Sequence, residues 1–146
     1  MKQNLHNIFF IFLIIINIVL LSSCGYNSIE KEVNKILKED LDTSIEIIKL
    51  YYNEEKQGCF VEFKTNSSVD NAAIKLDTNE IVYEKEYDYW CEKAEYLRKQ
   101  KPINESLLHE YNQKILDSAF YAEWHFSVTI FEANSRPKDS DWQRIK

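Results

Sequence analysis

Apolar positions change their spacing several times along the chain. Residues 8–21 carry thirteen apolar side chains in fourteen positions, broken only by Asn17, with Lys2 ahead of them. This run is shorter than the roughly 20 residues of a spanning helix and fits the roughly 7 to 15 of an export signal's apolar region. Further on, Ile29, Val33, Ile36 and Leu37 share one helical stripe, and Asn27 with Glu30 has capping-box spacing, which predicts a helix ending near Leu41. Residues 43–52 are rich in β-branched and aromatic side chains, and their alternation slips between Ile47 and Ile48, the mark of a bulge. After a polar turn, Cys59, Val61 and Phe63 alternate with Glu62 and Lys64, completing a hairpin in which Phe60 interrupts the polar face.

A third short strand is predicted over 72–76, and residues 81–83 extend a strand or begin a helix. Tyr87, Trp90, Cys91, Ala94 and Leu97 then recur at helical spacing, and Pro102 separates them from a helix capped by Asn104 that runs through Leu116. Phe120, Ala122, Trp124, Phe126, Val128 and Ile130 alternate with Tyr121, Glu123, His125, Ser127 and Thr129, which reads as a final strand. The sum is an α+β fold: a small single domain, a four-stranded antiparallel sheet with helices packed on one face, loosely cystatin-like or NTF2-like in its layers. The organisation is a signal peptide over 1–23, a tether over 24–27, the domain over 28–134 and a polar tail over 135–146. In that tail Pro137 stops any strand, and Trp142 either docks back or forms a second contact point.

Directly after the apolar run comes Leu21-Ser22-Ser23-Cys24, a branched apolar residue, two small residues and a cysteine. This segment resembles the lipobox of bacterial lipoproteins. The resemblance implies cleavage before Cys24 and a diacylglyceryl group on its sulfur, with fatty acylation of the new N-terminus. The implied location is the bacterial cell envelope, on the periplasmic side of the outer membrane if the source is Gram-negative, since Gly25 and not Asp follows the cysteine. Two or three acyl chains at one residue hold a protein to a bilayer essentially permanently, whereas one binds marginally. The membrane is thus one expected partner, reached through the lipid on Cys24.

Composition removes several functions. The net charge is −6 with only 2 Gly and 2 Pro, so there is neither a basic surface for phosphates nor a glycine-rich loop to cradle a nucleotide. No nucleic-acid partner and no cofactor is expected. Outside Cys24 the remaining thiols are Cys59 and Cys91; in an exported chain they predict a disulfide closing a 33-residue loop, worth roughly 3.5 to 4 kcal/mol in the chain-entropy account. Neither belongs to a Cys-x-x-Cys pair or to a metal-ligand spacing, so no metal site is expected.

Candidate chemistry centres on Tyr121, Glu123 and His125, which a strand would present together as an acid–base pair or partial metal site, although any half-solvated strand shows such a face. No serine occupies a nucleophile-elbow sequence. The chain is therefore read as non-catalytic, not an enzyme. Tyr83, Tyr87, Tyr89, Trp90 and Tyr96 hold more rings than one stripe can bury, and such rings favour contact with proteins. The leading expectation is an envelope lipoprotein that binds another protein as an assembly factor, inhibitor or immunity protein, with Tyr89, Tyr121, Glu123 and His125 on the partner surface. The alternatives are a small-ligand module with a pocket between sheet and helices and, behind it, a hydrolase using Glu123 and His125.

Overall fold

The computed structural model describes residues 25–133 and 142–146, so the expected signal peptide and Cys24, as well as Pro137, lie outside the described residues. Helix α1 occupies residues 25–41 and is followed by β1 (Glu46–Asn53), β2 (Gly58–Lys64), β3 (Val69–Lys75), β4 (Glu80–Tyr83), α2 (Glu84–Arg98), α3 (Glu105–Asp117), α4 (Ala119–Ala133) and β5 (Trp142–Arg144). All strand pairings are antiparallel, in the order β4-β3-β2-β1-β5. The α+β class with an antiparallel sheet holds: the first three expected strands are present, residues 80–83 form the fourth in place of the one expected over 120–130, and a fifth, β5, is added. That strand comes from the segment expected as a polar tail, and residues 25–27, expected as a tether, are already helical.

Each strand alternates its side chains between two covered faces. On one face Leu50, Cys59, Val61, Phe63, Ala72 and Ile74 pack against Val33, Ile36 and Leu37 of α1. On the other, Tyr51, Phe60, Ala73 and Val82 pack against Tyr121, Trp124 and Val128 of α4, with Trp142 of β5 joining them. Helical cover therefore reaches both faces, and Phe60, the residue that broke the polar face of β2, belongs to this second core. The bulge predicted in β1 is present as a register shift between Ile47 and Lys49 that leaves Ile48 38% exposed.

Local chemistry ends and starts the elements. Asp42 takes the left-handed conformation, φ 48°, and its N–H bonds the Lys38 carbonyl at 3.0 Å to close α1. Asn53, buried, accepts from Lys56 N–H at 2.8 Å to shape the β1–β2 turn. Asn104 caps α3 as predicted, its side chain accepting from Leu107 N–H at 3.1 Å. β5 is held at both ends of its register: Asn53 pairs with Trp142, and Ile145 N–H donates to the Leu50 carbonyl at 2.9 Å. Tyr26 of α1 donates to Gln143, and Lys146 meets Glu30 at 2.6 Å, tying this edge to the opening turns of α1.

The largest departure from the sequence reading is residues 119–133, a helix and not a strand. Glu123, His125, Ser127 and Thr129 fall at alternate positions between Phe120 and Phe131, while the other eight side chains are apolar or aromatic, so a period of two and a period of 3.6 can both be drawn through the segment. Tertiary packing selects the second: Tyr121, Trp124 and Val128 are buried at helical spacing. The strand-favouring Ser127 and Thr129 are accommodated because their hydroxyls donate to the carbonyls of Glu123 and His125, each at 2.9 Å.

Candidate functional site

Across β1, β2 and β3 the face under α4 is built in rows. Register pairs Tyr51 with Phe60 and Phe60 with Ala73, giving an apolar row; the next row pairs Lys49 with Glu62 and Glu62 with Asn71, and is polar throughout. α4 lies on the first row and bounds the second from above, leaving a cleft of about 170 Å³. His125, Val128, Thr129 and Glu132 line it from the helix, with Phe60 and Tyr51 among the sheet residues beneath. The bulge in β1 is what makes this possible. It allows Ile47 and Leu50 to share the α1 face, and so delivers Lys49 to the cleft beside Tyr51.

The polar groups of the cleft are connected to one another and to their neighbours. Lys49 Nζ meets Glu62 Oε2 at 3.3 Å, the Tyr51 hydroxyl donates to Glu132, and Asn71 Nδ2 donates to Glu84 at 2.9 Å. Burial, then the bond and charge of Glu132, push the Tyr51 phenol well above its usual range. Arg144 of β5 sits over the same ring, 5.9 Å from its centroid. Among the described residues no group of three or more His, Cys, Asp and Glu could hold a metal ion.

The residues singled out in the sequence separate. Two positions apart on a helix points side chains to nearly opposite sides, so Glu123 and His125 do not meet. Glu123 pairs with Lys56 in the β1–β2 turn, while His125 enters the cleft. Tyr121 is buried and stacks on His125, with ring planes 6° apart and centroids at 5.8 Å. It is core and not partner surface: its hydroxyl has no hydrogen-bond partner among the described residues. Burial and the surrounding Glu84, Asp88 and Asp70 raise its pKa. Tyr89 is exposed as expected, edge-on to Trp90 and beneath the Lys93 ammonium.

The expected Cys59–Cys91 bridge is absent; both thiols are free. Cys59 is fully buried on the α1 face. Cys91 stands beside Tyr87, whose ring packs on Tyr121 under the other face. The sheet lies between them, and a disulfide's short reach cannot cross it.

The cleft-lining set of Lys49, Tyr51, Glu62, Asn71 and Glu132 was not singled out from sequence, although the bulge and the misplaced Phe60 both pointed to that face. Fold and cleft together define a small α+β domain with a side-chain-sized polar recess between its sheet and one helix. The chain matches no family model, no curated protein and no solved structure.

Proposed function

We propose that this chain is a lipid-anchored protein of the bacterial cell envelope whose domain binds another protein without catalysing a reaction on it. The anchor rests on the Leu21-Ser22-Ser23-Cys24 sequence. The observation that carries protein binding is the set of large apolar side chains left exposed on α2, α3 and α4. Tyr89, Tyr96, Leu116 and Phe126 are 49, 62, 66 and 66% exposed, and α3 fully buries none of its side chains. Large rings left in water bring contact area at small entropy cost when a partner covers them. The cleft weighs against the small-ligand alternative, because about 170 Å³ falls short of the roughly 300–1,000 Å³ that encloses a drug-sized molecule. The hydrolase alternative loses its acid–base pair to the separation of Glu123 from His125.

Two measurements test this reading. Metabolic labelling with a fatty acid should mark the protein and lose the label in Cys24→Ala, which should also leave the membrane fraction. A photo-crosslinking residue at Tyr89 or Phe126, in cells, should give one discrete heavier adduct, while the same residue at Lys38 on α1 gives none. Crosslinks equally frequent at all three positions, or absent from Tyr89 and Phe126, would rule out a binding face on these helices.

A further inference from the structure

We propose that the cleft between α4 and the sheet receives a basic side chain, arginine above all, presented by the protein partner. The source of that group rests on the protein-binding reading; the chemistry of the cleft stands on its own walls. Two carboxylates, Glu62 from β2 and Glu132 from α4, face it, against one ammonium, Lys49. Lys49 is committed to Glu62 at 3.3 Å, which uses Oε2, and the Tyr51 hydroxyl uses Oε1 of Glu132. No bond to another described residue uses the second oxygen of either carboxylate. These two acceptors, on different elements of a narrow recess, match the planar fork of a guanidinium, which offers five N–H donors in fixed directions. Phe60 lines the same recess and adds an aromatic wall, which suits a flat, weakly hydrated cation.

An anionic group would meet both carboxylates, while Lys49, the ammonium among the described lining residues, is already paired with Glu62, so an anion is disfavoured there. The volume, about 170 Å³, suits one extended side chain rather than a whole small molecule. The chain's net charge of −6 acts in the same direction at longer range, steering a basic surface toward it. Arg144, poised over the Tyr51 ring beside the cleft, is an internal example of the same contact.

The test uses the full ¹⁵N-labelled chain in detergent micelles, titrated with N-acetyl-arginine methylamide and followed by its amide resonances. Saturable shifts are expected at Asn71, His125 and Thr129, with millimolar-range affinity, on the order of −4 kcal/mol at ~1 mM. The neutral isostere N-acetyl-citrulline methylamide should leave these amides unmoved. The Glu62→Gln, Glu132→Gln double variant should weaken arginine binding by at least about tenfold, with resonances remote from the cleft unchanged as the sign of an intact fold. Equal shifts from the citrulline or an N-acetyl-glutamate probe, or no saturable shift from arginine, would overturn the proposal. Agmatine separates the sources: binding more than about tenfold tighter than the capped arginine would assign the cleft to a free amine and sink the side-chain assignment. Because no partner enters this titration, arginine binding without crosslinks from Tyr89 and Phe126 would refute the protein-binding reading alone.

Discussion

Gly58 lies directly beneath the indole of Trp124: a β-carbon at Gly58 would come within 2.7 Å of Cζ2 and Cζ3 and nearer still to Cη2. The ring cannot easily retreat, because Phe120 and Trp142 pack edge-on against it at 5.4 and 5.5 Å. Gly58→Ala is therefore expected to cost about 1–3 kcal/mol by overpacking, read as a lower urea midpoint at unchanged slope. In a Trp124→Leu background the same substitution should cost much less, since the clash is with the indole alone.

Tyr121 predicts the opposite sign. Its ring is core, but its buried hydroxyl finds no partner among the described residues. Tyr121→Phe should raise stability by about 1 kcal/mol, by removing an unsatisfied group while keeping the packing. Tyr121→Ala should lose about 3 kcal/mol or more through the cavity. Thermal unfolding of the two variants distinguishes this from a surface role, for which both would be nearly silent.

Alkali should unfold the domain. Tyr51, Tyr83 and Tyr121 all have phenols raised in the folded state, first by burial and then by Glu132, Asp40 and Glu84 respectively. Below the ordinary phenol value of about 10 both states are neutral and the full stability is present. Above it the unfolded chain releases these protons while the folded one keeps them. Stability then falls with rising pH, by up to about 1.4 kcal/mol per pH unit for each group, until the folded phenols also ionise. Tyrosinate absorbance should therefore show a late group of tyrosines that ionises together with loss of the circular dichroism signal. Smooth titration of all nine Tyr before any unfolding would contradict the burial of these three.

Thiol chemistry checks the separation of the cysteines. In a Cys24→Ala chain, Cys91, partly exposed, should react with a thiol reagent under native conditions. Cys59 should react only after denaturation, because burial above all, with the charge of Glu32 behind it, holds its thiol neutral. Both should be countable as thiols without reductant. A chain that yields none until reduced would show the two joined after all, and with them a different packing of α2.

Much of this architecture was readable from residue order, and the failures have physical causes. The Ile47–Ile48 slip, the Asn104 cap and the end of α1 near Leu41 are local features, set by backbone hydrogen bonding and side chains within a few positions, so they are encoded locally. Residues 119–133 read as a strand because Glu123, His125, Ser127 and Thr129 fall at alternate positions among apolar neighbours; the helix that buries Tyr121, Trp124 and Val128 is decided by the sheet it covers. The cleft was hidden for a related reason. Lys49, Glu62 and Asn71 lie on three strands, and only the register brings them into one row. Phe60 was the available clue, since an aromatic on the supposedly wet side of β2 implies that something covers that side as well.

β1 pairs on one side with β2, reached through a short turn, and on the other with β5, which returns only after three helices. These two borders differ in the chain entropy needed to close them. The β1–β4 meander needs only local closures and can form early, whereas the border with β5 must wait for α4, because Trp142 packs on Trp124. The same border is the first to be lost when the domain loosens: freeing β5 unseats Trp142, α4 loses one of its supports, and the cleft loses its roof while the rest of the sheet stays paired. Hydrogen exchange should accordingly find the α4 and β5 amides opening as one cooperative unit at lower cost than the meander. The recess would then be a structure of the fully closed state only, present or absent as a whole.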